Sequence, residues 1–316
     1  MRIVNLVENT EGASGCEYAH GLSFYIETEE HKILMDSGPN DITIRNAQKL
    51  GIDLTAVDTL ILSHGHYDHG GGIISFAKIN PNATIYMQDC AFGEYYADDG
   101  EDKGKDRYRY IGIEDAIKEL PQLRLINGNT KIDDELSVFT VKKEDIIRPA
   151  TNNKLKIKQG RKYVQDDFKH EHYLVVRTGH MHILISGCAH NGILNILDEY
   201  RQIYREDPDA VISGFHLMKK SAYTDEEILD ILDIAKALTK SKTKFYTCHC
   251  TGVLAYEMMK RIMGDKLVYV HSGDEIDIEP QKTTPGRSAY MKGHKFFAWA
   301  TVVCFVMTMI TGYKKK

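Results

Sequence analysis

Four side chains able to ligate a transition metal fall within six residues at His64-Gly65-His66-Tyr67-Asp68-His69, between the apolar run 59–62 with Ser63 and the triplet Gly70-Gly71-Gly72. Imidazole suits zinc or iron, and a carboxylate adds a harder oxygen. Neighbouring positions on a tight loop can face two ions about 3.5–4 Å apart. The loop falls where a short strand should end and a helix begin, a placement that favours a catalytic metal centre over a set of ordinary surface or core histidines.

One loop cannot close a coordination sphere, so further ligands must arrive from other strand ends. Three histidines follow strand-like runs: His190 within 186–192, His216 within 213–217 and His249 within 247–252. Cys188 lies two residues before His190 and is read either as a soft, zinc-preferring ligand or as a buried inert thiol. Asp36-Ser37-Gly38, straight after another strand-like run, is either a plain turn or a support for the metal loop. Cys248-His249-Cys250 has no second cysteine pair and does not read as a zinc ribbon.

The six-residue segment resembles the H-x-H-x-D-H signature of the metallo-β-lactamase superfamily. With Ser186-Gly187-Cys188-Ala189-His190-Asn191-Gly192-Ile193, Gly214-Phe215-His216-Leu217 and Cys248-His249-Cys250-Thr251-Gly252 in that order, residues 1–275 are similar to its dihydropterin-synthase-like branch. That branch includes archaeal 7,8-dihydropterin-6-methyl-4-(ribofuranosyl)aminobenzene 5′-phosphate synthases. The resemblance implies an α/β sandwich of the αββα type, with two packed mixed sheets and helices on the outer faces. It also implies a pair of metal ions, zinc with iron or manganese as alternatives. His64, His66 and His190 are expected at one ion, and Asp68, His69 and His249 at the other, with Cys188 near both. Cys188 departs from the bridging Asp common in the superfamily. The intermediate histidine of the superfamily has no clear match among His170, His172, His180 and His182, and His190 is expected to take its place.

The elements that would carry these residues are short. Strand-length apolar runs occur at 3–7, 22–26, 32–35 and 59–62, with helical spacing at 41–50 and 71–79. The pattern loosens from 93 to 169, where a charged stretch at 98–107 is flanked by Tyr95, Tyr96, Tyr108 and Tyr110, and this reads as an insertion. Runs at 173–177 and 181–186 then form a hairpin through Thr178-Gly179-His180. Helices at 193–205, 225–238 and 253–262 alternate with strands near 211, at 244–247 and at 267–270, which argues for sheets with outer helices.

At 316 residues, with 42% hydrophobic and 27% charged, the chain can bury a full core. Its 40 basic and 45 acidic residues give a formal charge of -5 without a basic run, so a small-molecule substrate is expected and a nucleic acid is not. Oligomeric state is left open. Six cysteines at 16, 90, 188, 248, 250 and 304 form no paired framework, and the N-terminus lacks a secretory segment, pointing to a catalytic domain in a reducing cytoplasm. The domain is expected to span 1–280 and a linker 281–291. The segment 292–316, with eighteen uncharged residues at 296–313 bracketed by lysines, is expected to be a transmembrane anchor or else a C-terminal helix packed on the domain.

These readings lead to a metallo-hydrolase acting on a small ester, lactone, amide or phosphodiester. Metal-acidified water would be the nucleophile, Asp68 would orient it, and His216 would contact substrate or protonate the leaving group. Two alternatives remain: a transferase forming a carbon–nitrogen bond from a pterin diphosphate, and a membrane-tethered, metal-containing ligand sensor.

Overall fold

The structure, a computed structural model, describes residues 1–143 and 146–278. The linker and hydrophobic segment expected at 281–316 lie outside these residues. Among the described residues no helix is long and apolar enough to cross a membrane.

In chain order the strands are β1 (Arg2–Val7), β2 (Ser23–Glu27), β3 (Lys32–Met35), β4 (Thr59–Ile61), β5 (Thr84–Gln88), β6 (Tyr95–Asp98), β7 (Tyr108–Tyr110), β8 (Leu123–Ile126), β9 (Thr130–Lys131), β10 (Leu136–Phe139), β11 (Leu155–Gln159), β12 (Lys162–Gln165), β13 (Tyr173–Thr178), β14 (Met181–Ile185), β15 (Ala210–Ser213), β16 (Lys244–Thr247), β17 (Leu267–Tyr269) and β18 (Glu275–Ile276). The α-helices are α1 (Ile42–Lys49), α2 (Tyr67–Gly70), α3 (Ile73–Ile79), α4 (Ile193–Tyr204), α5 (Asp225–Leu238) and α6 (Val253–Met263). One mixed sheet runs β18-β1-β2-β3-β4-β5-β8 and a second runs β17-β16-β15-β14-β13-β10-β9.

Strand alternation sorts the apolar residues into layers. On β3, Ile33 and Met35 face the second sheet and meet Ile183 and Ile185 of β14 in the central core. Leu34 points the other way, into a core shared with Ile42 and Ala47 of α1 and Ile73 and Phe76 of α3. Leu184 of β14 likewise faces α4, α5 and α6, packing with Ile196, Ile231 and Met259. Two sheets thus enclose one core, and each covers an outer core with helices, giving the expected αββα order.

The hairpin of β13 and β14 pairs Thr178 with Met181, as its turn residues suggest. The stretch 93–169 divides into parts. β8 extends the first sheet and β9 and β10 the second, while β12-β11-β6-β7 form a separate four-stranded sheet. That small sheet has its own core of Tyr95, Ala97, Ile111, Leu155 and Phe168. It docks on the metal-type loop, where Tyr67 N donates to Ile111 O at 2.9 Å.

Candidate metal centre

β4 ends at Ile61, and the chain turns through Ser63 into the short α2, so His64, His66, Asp68 and His69 emerge at one rim of the sandwich. All four are buried. The loop is held from beneath by Asp36, whose carboxylate accepts from Ser63 N and Ser63 Oγ, both at 2.7 Å, and from His69 Nδ1 at 2.6 Å. Asp36 adopts a left-handed backbone with φ 60, a conformation that Asp tolerates better than most residues.

The second sheet brings its ligand candidates to the same rim. β14 leads to Cys188 and His190, β15 to His216 and β16 to His249. Gly187 is required by close approach, because a Cβ there would overlap the Ser63 hydroxyl. His64 Nε2 lies 3.3 Å from His190 Nε2, and His69 Nε2 lies 3.3 Å from His249 Nε2. Asp68 Oδ2 is 3.7 Å from His69 Nε2 and 3.4 Å from His249 Nε2. Cys188 Sγ sits 3.2 Å from His69 Nε2. His64, His66 and His190 form one group with mutually close ligand atoms, and His64, His69 and Cys188 form an adjoining one.

Hydrogen bonds on the far side of each ring determine which nitrogen carries the proton. His190 Nδ1 donates to Asn152 Oδ1 at 2.9 Å, and Asn152 Nδ2 donates back to His190 O at 2.7 Å. The same arrangement recurs at His249, whose Nδ1 donates to Asn9 Oδ1 at 2.8 Å while Asn9 Nδ2 donates to His249 O at 3.3 Å. Ser63 Oγ spends its proton on Asp36 and so accepts from His64 Nδ1 at 2.9 Å. Asp36 fixes His69 in the same way. In their neutral forms all four rings therefore present Nε2 lone pairs inward. His66 Nε2 is buried without a hydrogen-bond partner among the described residues.

Facing lone pairs repel unless a cation lies between them. A tetrahedral zinc with bonds of about 2.0–2.1 Å sets two imidazole nitrogens about 3.3 Å apart, the spacing of both pairs here. The donor set fits metal ions. Burial holds His64 and His190 well below the usual histidine pKa, helped by the neighbouring imidazoles, and pushes His66 down to about 3. Neutral imidazole is the ligating form. Desolvation also opposes charge on His69, but the Asp36 and Asp68 carboxylates outweigh it and lift that group to about 9, so without a cation His69 carries a second proton on Nε2, which a bound ion would displace. Burial raises the Cys188 thiol, an effect that a bound cation would reverse.

His216 stands at the edge of this cluster. Its ring is 4.1 Å from that of His190, its nitrogens are buried, and its ligand atom groups with those of Cys188 and His190, with the Cys250 thiol beside it. Four other histidines fall outside the ligand set. His170 is adjacent, but Gly65 N occupies its Nδ1 at 2.9 Å and Asp166 its Nε2 at 3.1 Å. His172 lies beneath the loop, donating its backbone N–H to Ser63 O. His180 and His182 belong to the β13–β14 hairpin, His182 pairing with Glu206 at 2.6 Å. Two candidates went unread in the sequence. Cys250 groups with Cys188 and His249, and His20 with Asp68 and His249. The spacing of Cys248 and Cys250 suggests only a ribbon, which the missing second pair excludes, and nothing in the spacing around His20 marks it.

The cluster floors a cleft of about 810 Å³. Its walls come from the β15 loop and from the small sheet, including Arg109, Leu155 and Met218.

Residues 19–191 match the family model of the metallo-beta-lactamase superfamily. This chain belongs to that superfamily. It is 30% identical over 264 residues to the uncharacterized protein MJ0448 of Methanocaldococcus jannaschii, covering 82% of this chain and 93% of that protein. It is 29% identical over 295 residues to the 7,8-dihydropterin-6-methyl-4-(beta-D-ribofuranosyl)-aminobenzene-5′-phosphate synthase of the same organism, covering 86% of this chain and 95% of the relative. The crystal structure of Tm1679, described as a metal-dependent hydrolase of the β-lactamase superfamily, superposes with a TM-score of 0.73 at 29% identity, covering 89% of this chain and all of that one, 100%.

Proposed function

We propose that this superfamily member is a metal-dependent hydrolase of a small ester, lactone, amide or phosphodiester. His64, His66 and His190 would hold one ion and Asp68, His69 and His249 the other, with Cys188 between them. The observation that carries this reading is the 3.3 Å contact between the inward-facing Nε2 lone pairs of His64 and His190, with the Nε2 atoms of His69 and His249 at the same spacing in the second group. Similarity to Tm1679 supports the same class. Cations bound there would acidify a water and polarise the scissile group. Asp68 would accept a hydrogen bond from the attacking water and fix its orientation. His216, which lines the cleft beside His190, would donate a proton to the leaving group.

A second reading rests on the 29% identity to the synthase. In it the same cleft forms a carbon–nitrogen bond from a pterin diphosphate and an arylamine. Incubating the protein with these two compounds, and separately with neutral esters and lactones, then analysing products with and without chelator, separates the readings. Chelator-sensitive hydrolysis without coupled product supports the hydrolase. Coupled product without hydrolysis overturns it.

A further inference from the structure

The rim of the cleft gathers cations although the chain carries a net charge of -5. Lys103, Arg109, Lys154, Lys219 and Lys220 line it, and above the ligand cluster the carboxylate lining it is Asp99. Their charges are not equally free. Lys219 Nζ bonds both oxygens of Glu227, at 2.7 and 2.6 Å. Arg109 forks onto Asp99 at 2.8 and 3.3 Å. Lys103 has a long pairing with Asp102 at 3.8 Å.

Lys154 and Lys220 make no ion pair within 4.0 Å among the described residues; Asp99, already engaged by Arg109, is the acid that acts on Lys154. They come from opposite parts of the fold, Lys154 from the turn before β11 and Lys220 from the loop after β15. Desolvation lowers the Lys154 pKa, and repulsion from Lys220 and Arg109 adds to it while Asp99 opposes. Three cations around one carboxylate leave a surplus that a dianion would neutralise.

We propose that Lys154 and Lys220 clamp the phosphate group of a phosphorylated small-molecule substrate, leaving the scissile bond over the histidine cluster. The assignment deepens the hydrolase reading and rests on it. A phosphate monoester carries close to two charges at neutral pH and offers three acceptor oxygens, matching two ammonium groups where a carboxylate matches one. A cleft of about 810 Å³ suits a small molecule rather than a polymer.

The test is binding of inorganic phosphate to the full chain, measured by calorimetry on metal-loaded protein and on chelator-treated protein shown by circular dichroism to remain folded. Phosphate should bind the chelator-treated protein, more tightly than acetate and more weakly as salt is added. Lys154→Ala and Lys220→Ala should each weaken binding about tenfold, the scale of one charge-assisted hydrogen bond. Lys154→Arg should restore most of it, and Lys78→Ala, on α3 outside the cleft, should change nothing. Phosphate binding lost on metal removal, or unchanged in Lys154→Ala and Lys220→Ala, would overturn the clamp, as would acetate binding equally well. Tighter binding of a short single-stranded oligonucleotide than of phosphate would overturn the small-molecule assignment. The hydrolase reading is judged separately, by chelator-sensitive turnover of a neutral ester, which needs no clamp.

Discussion

His64 and His190 lie 126 residues apart in the chain, yet their Nε2 atoms approach to 3.3 Å with both protons held on the opposite ring nitrogens. A hydrogen bond cannot join them in that state. Their approach is explained if a cation belongs between them, and removing one partner should then remove an ion. His190→Ala should lower the bound metal by about one equivalent, read by elemental analysis of protein prepared without chelator. Full metal content in the variant would count against the assignment.

Asn152 and Asn9 perform the same task at the two groups, each accepting from a histidine Nδ1 and donating to that residue's own carbonyl. Each fixes the tautomer and ring angle of a proposed ligand from the side opposite its Nε2. Asn152→Ala and Asn9→Ala should weaken metal affinity about 10–100-fold, measured by competition with a chromophoric chelator, with little change in folded structure. An affinity within twofold of the parent would show that the rings are oriented by other contacts.

The parts of this centre that were legible in the sequence share a physical origin. The six-residue loop is local, so its ligand spacing survives without knowledge of the fold. His190 and His249 follow apolar runs whose strand character is evident, and a sheet brings consecutive strand ends to one rim. Asn9 and Glu8, which accepts from His249 N at 2.9 Å, lie in the loop after β1 and Asn152 in a single short 3-10 turn, none with a period to read. Among 170, 172, 180 and 182, spacing could not separate ligands from supports; hydrogen bonds to Gly65 N and Asp166 remove His170 from the set. The stretch 93–169 read as one insertion because β8, β9 and β10 are short and pair with strands distant in sequence.

Asp36 carries three hydrogen bonds at full burial, two from Ser63 and one from His69. Asp36→Ala removes both oxygens that accept these three bonds and forces alanine into a left-handed conformation. The cost should be about 3–5 kcal/mol, as for breaking a buried ion pair, read from urea unfolding of metal-free protein. Asp36→Asn, which keeps the shape and tolerates the backbone, should lose less. Equal losses would place the cost in the charge alone.

His216 lines the cleft with its ring 4.1 Å from that of His190. If it protonates the leaving group, His216→Ala should lower kcat by about 10²–10⁴ while bound metal stays unchanged. A substrate with a leaving group that needs no proton should be nearly insensitive. Equal losses with both kinds of substrate would assign His216 to binding.

His172 supplies a pH signature apart from the ligand set. Burial drops its pKa from 6.5 to about 4, and its Nδ1 lies 3.0 Å from Gln88 Nε2. A folded-state pKa below the unfolded one means that the unfolded chain binds the extra proton. The neutral ring's contribution is therefore complete above pH 6.5 and declines as the pH falls toward 4. At about 1.36 kcal/mol per unit, this single group should take about 3 kcal/mol from the stability of the metal-free protein across that window. His172→Asn should reduce the loss between those limits by about that amount, the other buried imidazoles supplying the rest, with unfolding free energies measured by urea at each pH. A variant that lost stability in acid as steeply as the parent would assign the loss to the other buried imidazoles.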